Sequence, residues 1–407
     1  MGVATGVRAE PEGLGRPRVG LWSLFLSYLR IGAMAFGFAI LAEMRALVKR
    51  ERWLSEPELN EGIALVQLYP GPVMVDLTAY VGYRLRGVTG ALAATAGFVL
   101  PSFVLMVALS AIYFALGAIW WVRPLFLGLE ALVVGVVVQM MMDFGAQNVR
   151  GREEAVIAAA AFAALLLRLN AVLIVLVALA AGALLLRPPE SGGAAAANQP
   201  AVSPGRLRAP WSEVAVALVV VASAVGFFVL GGSLGALGLS FLKIGAVAFG
   251  NGMTIMPLLQ AEAVNAHGWL TLREFADGIA LGQVTPGPFL ITAAFVGYKL
   301  YGVVGAAVGT FAIFAPSFVM TLLFAELFGQ IRHHVVVRGA VRGVLASFVG
   351  LLAVVALQLG QLALVGPAQI ILAVGAFVGV RYFRWSMALL FAAGLVVWGG
   401  IVAIGWA

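Results

Sequence analysis

Pro-Gly-Pro occurs twice, at 70–72 and 286–288, each time inside an apolar run. Proline has no amide hydrogen and glycine admits dihedrals closed to other residues, so a helix must stop and restart at Pro70-Gly71-Pro72 and at Pro286-Gly287-Pro288. In lipid, interrupted backbone is tolerated only where it is buried in protein or lines a wet cavity. A half-helix restarting near mid-membrane presents free amides and the positive end of its dipole, which suits an anion. Gln67 and Gln283 stand three residues before the two breaks, where a side-chain amide can bond a ligand or cap the broken helix. Simple kinks are the competing reading, and two copies at matching places argue against it.

Arg30 and Lys243 are cations within apolar runs, each six residues before a Phe-Gly pair, Phe36-Gly37 and Phe249-Gly250. A cation at bilayer centre costs roughly 2.5–3.5 kcal/mol or more, so it snorkels, finds a partner or serves a function. As a function, an arginine fork and a lysine point charge together match a divalent oxyanion. Three acids are candidates for a coupling proton. Asp76 lies four residues past Pro72 on the restarted helix, with Arg84 or Arg86 as its possible salt-bridge partner. Glu262 follows Phe249-Gly250 in a stretch poor in charge, and Glu43 follows Phe36-Gly37. Glu130, Asp143, Asp277 and Glu326 are further acids in or beside apolar runs. No nucleophile, base or metal set converges. Cysteine is absent, and His267, His333 and His334 lack metal-site spacing, so no catalytic residue, metal or cofactor is expected.

The elements that must position these residues are membrane helices. Of 407 residues, 62% are hydrophobic and 11% charged, against about 45–50% and about 25% in soluble proteins. That composition excludes a soluble enzyme or nucleic-acid binder and gives an all-α polytopic membrane protein with thirteen apolar segments. The expected units are a polar cytoplasmic N-terminus (1–19), a first repeat of six segments (20–186), a flexible linker (187–211), an inverting transmembrane helix (212–230) and a second repeat of six segments (236–407). Pro101 and Pro316 fall inside long segments and are expected to break or kink them. Trp53 and Trp269 suit the interfacial belt. Ser55 with Glu58, and Thr271 with Glu274, have capping-box spacing.

The repeat is explicit. Tyr28-Leu29-Arg30-Ile31-Gly32-Ala33 matches Phe241-Leu242-Lys243-Ile244-Gly245-Ala246, Trp53-Leu54-Ser55 matches Trp269-Leu270-Thr271, and Pro101-Ser102-Phe103 matches Pro316-Ser317-Phe318. Six segments start and end on one side, and a single added crossing turns the second set over, so the halves should be inverted. Loop Lys and Arg concentrate on the side of the N-terminus, which places it in the cytoplasm. They do so more strongly if the first two segments of each half do not cross.

Phe-Gly, Trp-Leu-Ser (Trp-Leu-Thr in the second half), Ala-Leu-x-Gln-x-x-Pro-Gly-Pro, Gly-Tyr and Pro-Ser-Phe, in that order and in both halves, resemble the chromate ion transporter family in its long, two-domain form. The resemblance implies a prokaryotic inner-membrane antiporter that exports chromate, or a related divalent oxyanion such as sulfate, at the expense of the proton-motive force. An anion channel or an uncoupled oxyanion carrier of the same fold is the alternative. The expected partners are the oxyanion, protons and the lipid bilayer; a homodimer is compatible with the sequence, and nucleic acid is not a partner. By the same resemblance the substrate site would include Phe36, Gly37, Gly250 and Asn251. Where the family commonly has Phe-Gly-Gly-Pro this chain has Phe36-Gly37-Phe38-Ala39, and Asp76 stands where the family commonly has glutamine.

Overall fold

The computed structural model describes residues 19–36, 39–116, 122–186, 211–250, 252, 254–331 and 335–403, and over these the chain is almost wholly helical. The first half holds α1 (Leu21–Met34), α2 (Ala39–Arg50), α3 (Glu56–Leu65), the two-residue strand β1 (Gly71–Pro72), α4 (Val73–Leu116), α5 (Val122–Asn148), α6 (Arg152–Leu166) and α7 (Ala171–Leu185). Helix α8 (Trp211–Leu230) follows. The second half holds α9 (Gly232–Val247), β2 (Phe249–Gly250), α10 (Ile255–Gln260) with a π-helical turn (Ala261–Ala266), α11 (Leu272–Val284), a 3₁₀ turn (Phe289–Ile291), α12 (Thr292–Ile331), α13 (Val335–Ala363), α14 (Pro367–Arg381) and α15 (Met387–Ala403). Among the described residues, five stretches are long and apolar enough to cross a membrane, and shorter apolar helices stand beside them. The N-terminal residues 1–18 and most of the linker lie outside the described residues.

The duplication is written into the backbone. Left-handed or otherwise positive φ recurs at repeat-related positions: Arg52 and Gly268 (54° and 61°), Gly71 and Gly287 (157° and 96°), Gly87 and Gly302 (63° and 55°), Arg168 and Arg384 (61° and 53°). Both capping boxes form, with Ser55 accepting from the Glu58 amide and Thr271 from the Glu274 amide. Trp53 and Trp269 are buried in the protein, at ring-centroid distances of 6.1 Å from Tyr28 and 6.3 Å from Phe241.

The first two segments of each half fold back on themselves. Tyr80, on the short arm of α4 (73–85), donates to the Glu58 carbonyl at the start of α3, and Arg84 reaches the Glu58 carboxylate at 3.4 Å. A helix running straight through Pro-Gly-Pro would hold residues 58 and 84 tens of ångströms apart. The chain therefore reverses at Pro-Gly-Pro, and the Lys299–Glu274 pair at 2.6 Å shows the same reversal in the second half. Ser240 and Lys243 of α9 likewise meet Glu262 across the Phe-Gly break. A further reversal lies inside α4 at Arg86-Gly87 and inside α12 at Tyr301-Gly302, where the dihedrals leave the helical region. Gly82 against Gly90, and Gly297 against Gly305, let the two arms touch backbone to backbone. The breaks expected at Pro101 and Pro316 are thus displaced. The long arms (88–116 and 303–331) run helically through both prolines, and each neighbouring serine hydroxyl bonds a carbonyl three residues back.

The long arm of α4 starts at the open end of the first half's hairpins, passes the second half's Pro-Gly-Pro tip at Ser102 and ends beside the second half's open end, where Tyr113 bonds Asp277. The open ends of the two sets of hairpins therefore lie at opposite ends of the bundle, and the halves are inverted. Tyr83–Glu213 (2.8 Å), Arg342–Glu154 and Arg381–Asp143 tie the chain together at the first half's open end; Trp398–Pro124 does so at the other. Exposed Leu218, Val221 and Phe228 make α8 a lipid-facing helix. Cysteines replacing Arg86 and Tyr301, both exposed at the turns, should react with an impermeant maleimide from opposite faces of oriented vesicles. Labelling of both from one face would refute the inversion.

Candidate functional site

The four hairpin tips meet at the centre, each half against the other. Strand β1 pairs in parallel with β2, Gly71 opposite Phe249 and Pro72 opposite Gly250. In the mirrored position the Gly287 amide donates to the Ala35 carbonyl at 3.0 Å. Gly71 lies on Ser317 and Gly287 lies on Ser102, so the first Pro-Gly-Pro is seated on Phe249-Gly250 and Pro-Ser-Phe of the second half, and the second on Ala35 and Pro-Ser-Phe of the first. The restarted helices begin here, at Val73 and, after the 3₁₀ turn, at Thr292. Neither half alone can assemble this centre.

Asp76 is fully buried within it. Its carboxylate folds back over Gly71 and faces Ser317, and neither oxygen has a hydrogen-bond partner within ordinary distance. The Ser317 and Thr321 hydroxyls donate to backbone carbonyls, and Tyr69 meets the Thr321 hydroxyl at 2.7 Å. Arg84, one of the partners considered from sequence, is held by Glu58 instead.

Lys243 and Glu262, assigned separate roles from sequence, are bonded to each other. The ammonium lies 2.5 Å from Glu262 Oε1, and the carboxylate is buried while the lysine is 42% exposed. Ser240 donates to Glu262 Oε2 at 2.8 Å. His267 Nε2 stands 3.6 Å from the same oxygen, and its ring stacks on Trp269 at 4.2 Å. Alongside, a cleft of about 400 Å³ is lined by the amides of Gln260, Asn265, Gln358 and Gln361. Arg30 and Glu43, by contrast, are exposed and form no ion pair among the described residues. Gln67 is exposed in the turn after α3, whereas Gln283 is buried with its amide 3.8 Å from Met140 Sδ. Phe36 is half-buried; Gly37 and Asn251 lie outside the described residues. Sequence reasoning missed Ser102, Ser317, Tyr69, Thr321, Ser240 and His267. The matched Pro-Ser-Phe motifs carried the signal for the two serines.

Two stretches, 22–184 and 235–399, match the family model described as chromate transporter, one in each half. The chain is 30% identical to a chromate transport protein of Pseudomonas aeruginosa over 92% of its own length and 91% of that protein's. It is 31% identical to a probable chromate transport protein of Synechococcus elongatus (85% and 86% covered) and 29% identical to an uncharacterized transporter of Methanocaldococcus jannaschii (92% and 93% covered). No solved structure matches it. With the family model met in both inverted halves, the chain belongs to the chromate transporter family, as a multi-pass membrane transporter and not an enzyme.

Proposed function

We propose that this protein exports chromate, or a related divalent oxyanion such as sulfate, across the prokaryotic inner membrane as a secondary active transporter exchanging protons. The observation that carries the proposal is the crossed centre. Each Pro-Gly-Pro break meets the opposite half, Gly71 at Phe249 and Gly287 at Ala35, and a buried, unpartnered acid, Asp76, lies over Gly71. Rocking of one half against the other would open that centre to one side at a time. An unpaired carboxylate in a dry centre is costly, so Asp76 would carry a proton when the centre is closed and exchange it when water enters. The anion would be held by the restarted helices, Gln67 and Gln283, and the cations Arg30 and Lys243. On the observed topology the cluster 45–52, Arg84, Arg86, Arg150 and Arg152 fall at the first half's open end, and Arg168, Arg273 and Lys299 at the other. This supports a cytoplasmic N-terminus, with 212–230 as the crossing that turns the second half over.

The Lys243–Glu262 bond favours a second reading of the coupling. An anion on Lys243 competes with Glu262 for one ammonium, and protonating Glu262 releases it. By linkage, anion and proton then assist each other's binding and travel the same way. Proteoliposomes preloaded with radiolabelled sulfate separate the two readings. Exchange requires efflux to accelerate when the outside is acidified; cotransport requires acceleration when the inside is acidified. Asp76→Asn and Glu262→Gln, which mimic the protonated acids, should abolish gradient-driven accumulation and retain counterflow at equilibrium. Full uphill transport by both variants would eliminate both acids as carriers and leave voltage-driven export, worth about 2.3 kcal/mol per charge per 100 mV.

A further inference from the structure

The helices that lead into the two Pro-Gly-Pro breaks, α3 and α11, are repeat mates with different surroundings. In the second half α11 is enclosed, and its Ala276, Ala280 and Gln283 are buried. Helix α5 holds it, with Gln283 against Met140 and Arg273 3.4 Å from Glu130. In the first half the matching Asn60, Ala64 and Gln67 are exposed. They follow Glu56 about one turn apart, so the four make one stripe that runs about 15 Å from the hairpin's open end to the break. We propose that this face of α3 is the water-filled route by which the oxyanion reaches the first Pro-Gly-Pro break, and that Arg45 of α2 draws the anion into it.

Helices α2 and α3 are not among the apolar helices of the described residues. Beside the α3 stripe, α2 exposes Ala42, Glu43, Ala46 and Lys49. Helix α8, which faces lipid, exposes Leu218, Val221 and Phe228 instead. A charged or amide side chain against hydrocarbon is costly, so polar residues at membrane depth face protein or a water-filled cavity. In the second half the cover is protein. In the first half a second copy of the chain would bury Glu43, which forms no ion pair among the described residues, in an interface core from which charge is normally depleted. Water removes that penalty. Arg45 stands beside the middle of the stripe, 43% exposed, donating to Asn60 Oδ1 at 3.1 Å and lying 4.0 Å from Glu56. A cation at the wall of a wet cleft raises the local concentration of anions. The stripe ends at Gln67, three residues before Pro70 and next to the tip that pairs with Phe249-Gly250. It starts at the first half's open end, the cytoplasmic side in the orientation proposed above, from which an exporter must load. The cargo and the direction rest on that proposed function; the water at α3 does not.

The chain has no cysteine, so single introduced thiols report the route without background. In the full-length protein in oriented vesicles, Ala64→Cys and Gln67→Cys should react with an impermeant sulfonated methanethiosulfonate from the same face as Arg86→Cys. Gln283→Cys, at the buried mate of Gln67, and Val221→Cys, on the lipid face, should react at least about tenfold more slowly, because the attacking species is a hydrated thiolate. In Ala64→Cys, adding Arg45→Gln should lower the rate of the anionic reagent relative to its trimethylammonium counterpart by about tenfold, the effect of one unit charge about 6 Å away in water on two reagents of opposite sign. Saturating sulfate or molybdate, which do not oxidise thiols, should slow the anionic reagent at Gln67→Cys. An Ala64→Cys protein as unreactive as Val221→Cys would overturn the water route, and disulfide-linked dimers of Ala64→Cys in its place would give the face to a second copy. Equal rates at Gln67→Cys and Gln283→Cys would overturn the one-sided opening. An unchanged reagent ratio in Arg45→Gln would deny Arg45 its part. Reactive thiols that neither anion protects would keep the wet face and overturn its use by the oxyanion, a failure of the proposed cargo and not of the route.

Discussion

Replacing Gly71 with alanine should reduce oxyanion transport by about two orders of magnitude, the scale of a misplacement of about 1 Å at a working centre. A β-carbon built on Gly71 falls 2.0 Å from Asp76 Oδ2 and 2.5 Å from the Ser317 β-carbon. Relief requires Asp76 to leave its place over the tip, or the opposite half to withdraw. Either movement also disturbs the pairing of Gly71 with Phe249. Overpacking of this kind costs typically about 1–3 kcal/mol, a loss a folded membrane protein can survive, so expression should persist while flux collapses. Gly226→Ala is the control, since a β-carbon on that α8 glycine meets nothing within 4 Å. Flux of radiolabelled sulfate and chromate in proteoliposomes, normalised to folded protein, checks the expectation. Wild-type flux in Gly71→Ala would mean that the crossed tips are a static girder and that the anion passes elsewhere.

Much of this architecture is legible in sequence because it is local or duplicated. The capping boxes depend on residues three apart, and both form. The Pro-Gly-Pro reversals follow from a missing donor and a permissive backbone at one place. Inversion follows from segment parity, which survives the finding that the first two segments of each half turn back on themselves. The misplaced break shows the limit of reading proline alone. Pro101 and Pro316 remain helical, whereas Gly87 and Gly302, flanked by the paired glycines 82/90 and 297/305, carry the turns. Two small residues eight apart around a third, in both halves, were the available signal. What sequence pattern cannot supply is partnership at a distance. Glu262 and Lys243 are joined only because the chain folds back between them, and Tyr113 reaches Asp277 across 164 positions. Helical periodicity says which face a residue occupies, not which face of another helix lies opposite. Residues that look like separate ligands in a list can therefore be each other's counter-ions.

Lys243→Met should destabilise the protein, and adding Glu262→Gln should restore it. Breaking a buried ion pair by removing one partner costs about 3–5 kcal/mol, because the other charge stays buried. Here the lysine is 42% exposed, while the Glu262 side chain is 6% exposed. Water screens one side of the pair, so the cost falls to about 1–3 kcal/mol. Ser240 and His267 remain against the carboxylate and soften the loss further. Glu262→Gln keeps the shape and removes the uncompensated charge, so the double variant should recover most of the melting temperature lost by Lys243→Met. Transport should follow a different pattern. If Lys243 holds the anion, the double variant folds yet stays inactive, because no cation has been returned to the second half. Glu262→Gln alone leaves Lys243 unpaired and should bind sulfate more tightly at equilibrium while losing its dependence on pH. Thermal unfolding and sulfate binding on the same four proteins separate the two contributions. A Lys243→Met protein as stable as wild type would deny the pair, and a transporting double variant would deny Lys243 the anion and leave the breaks and Arg30 to hold it.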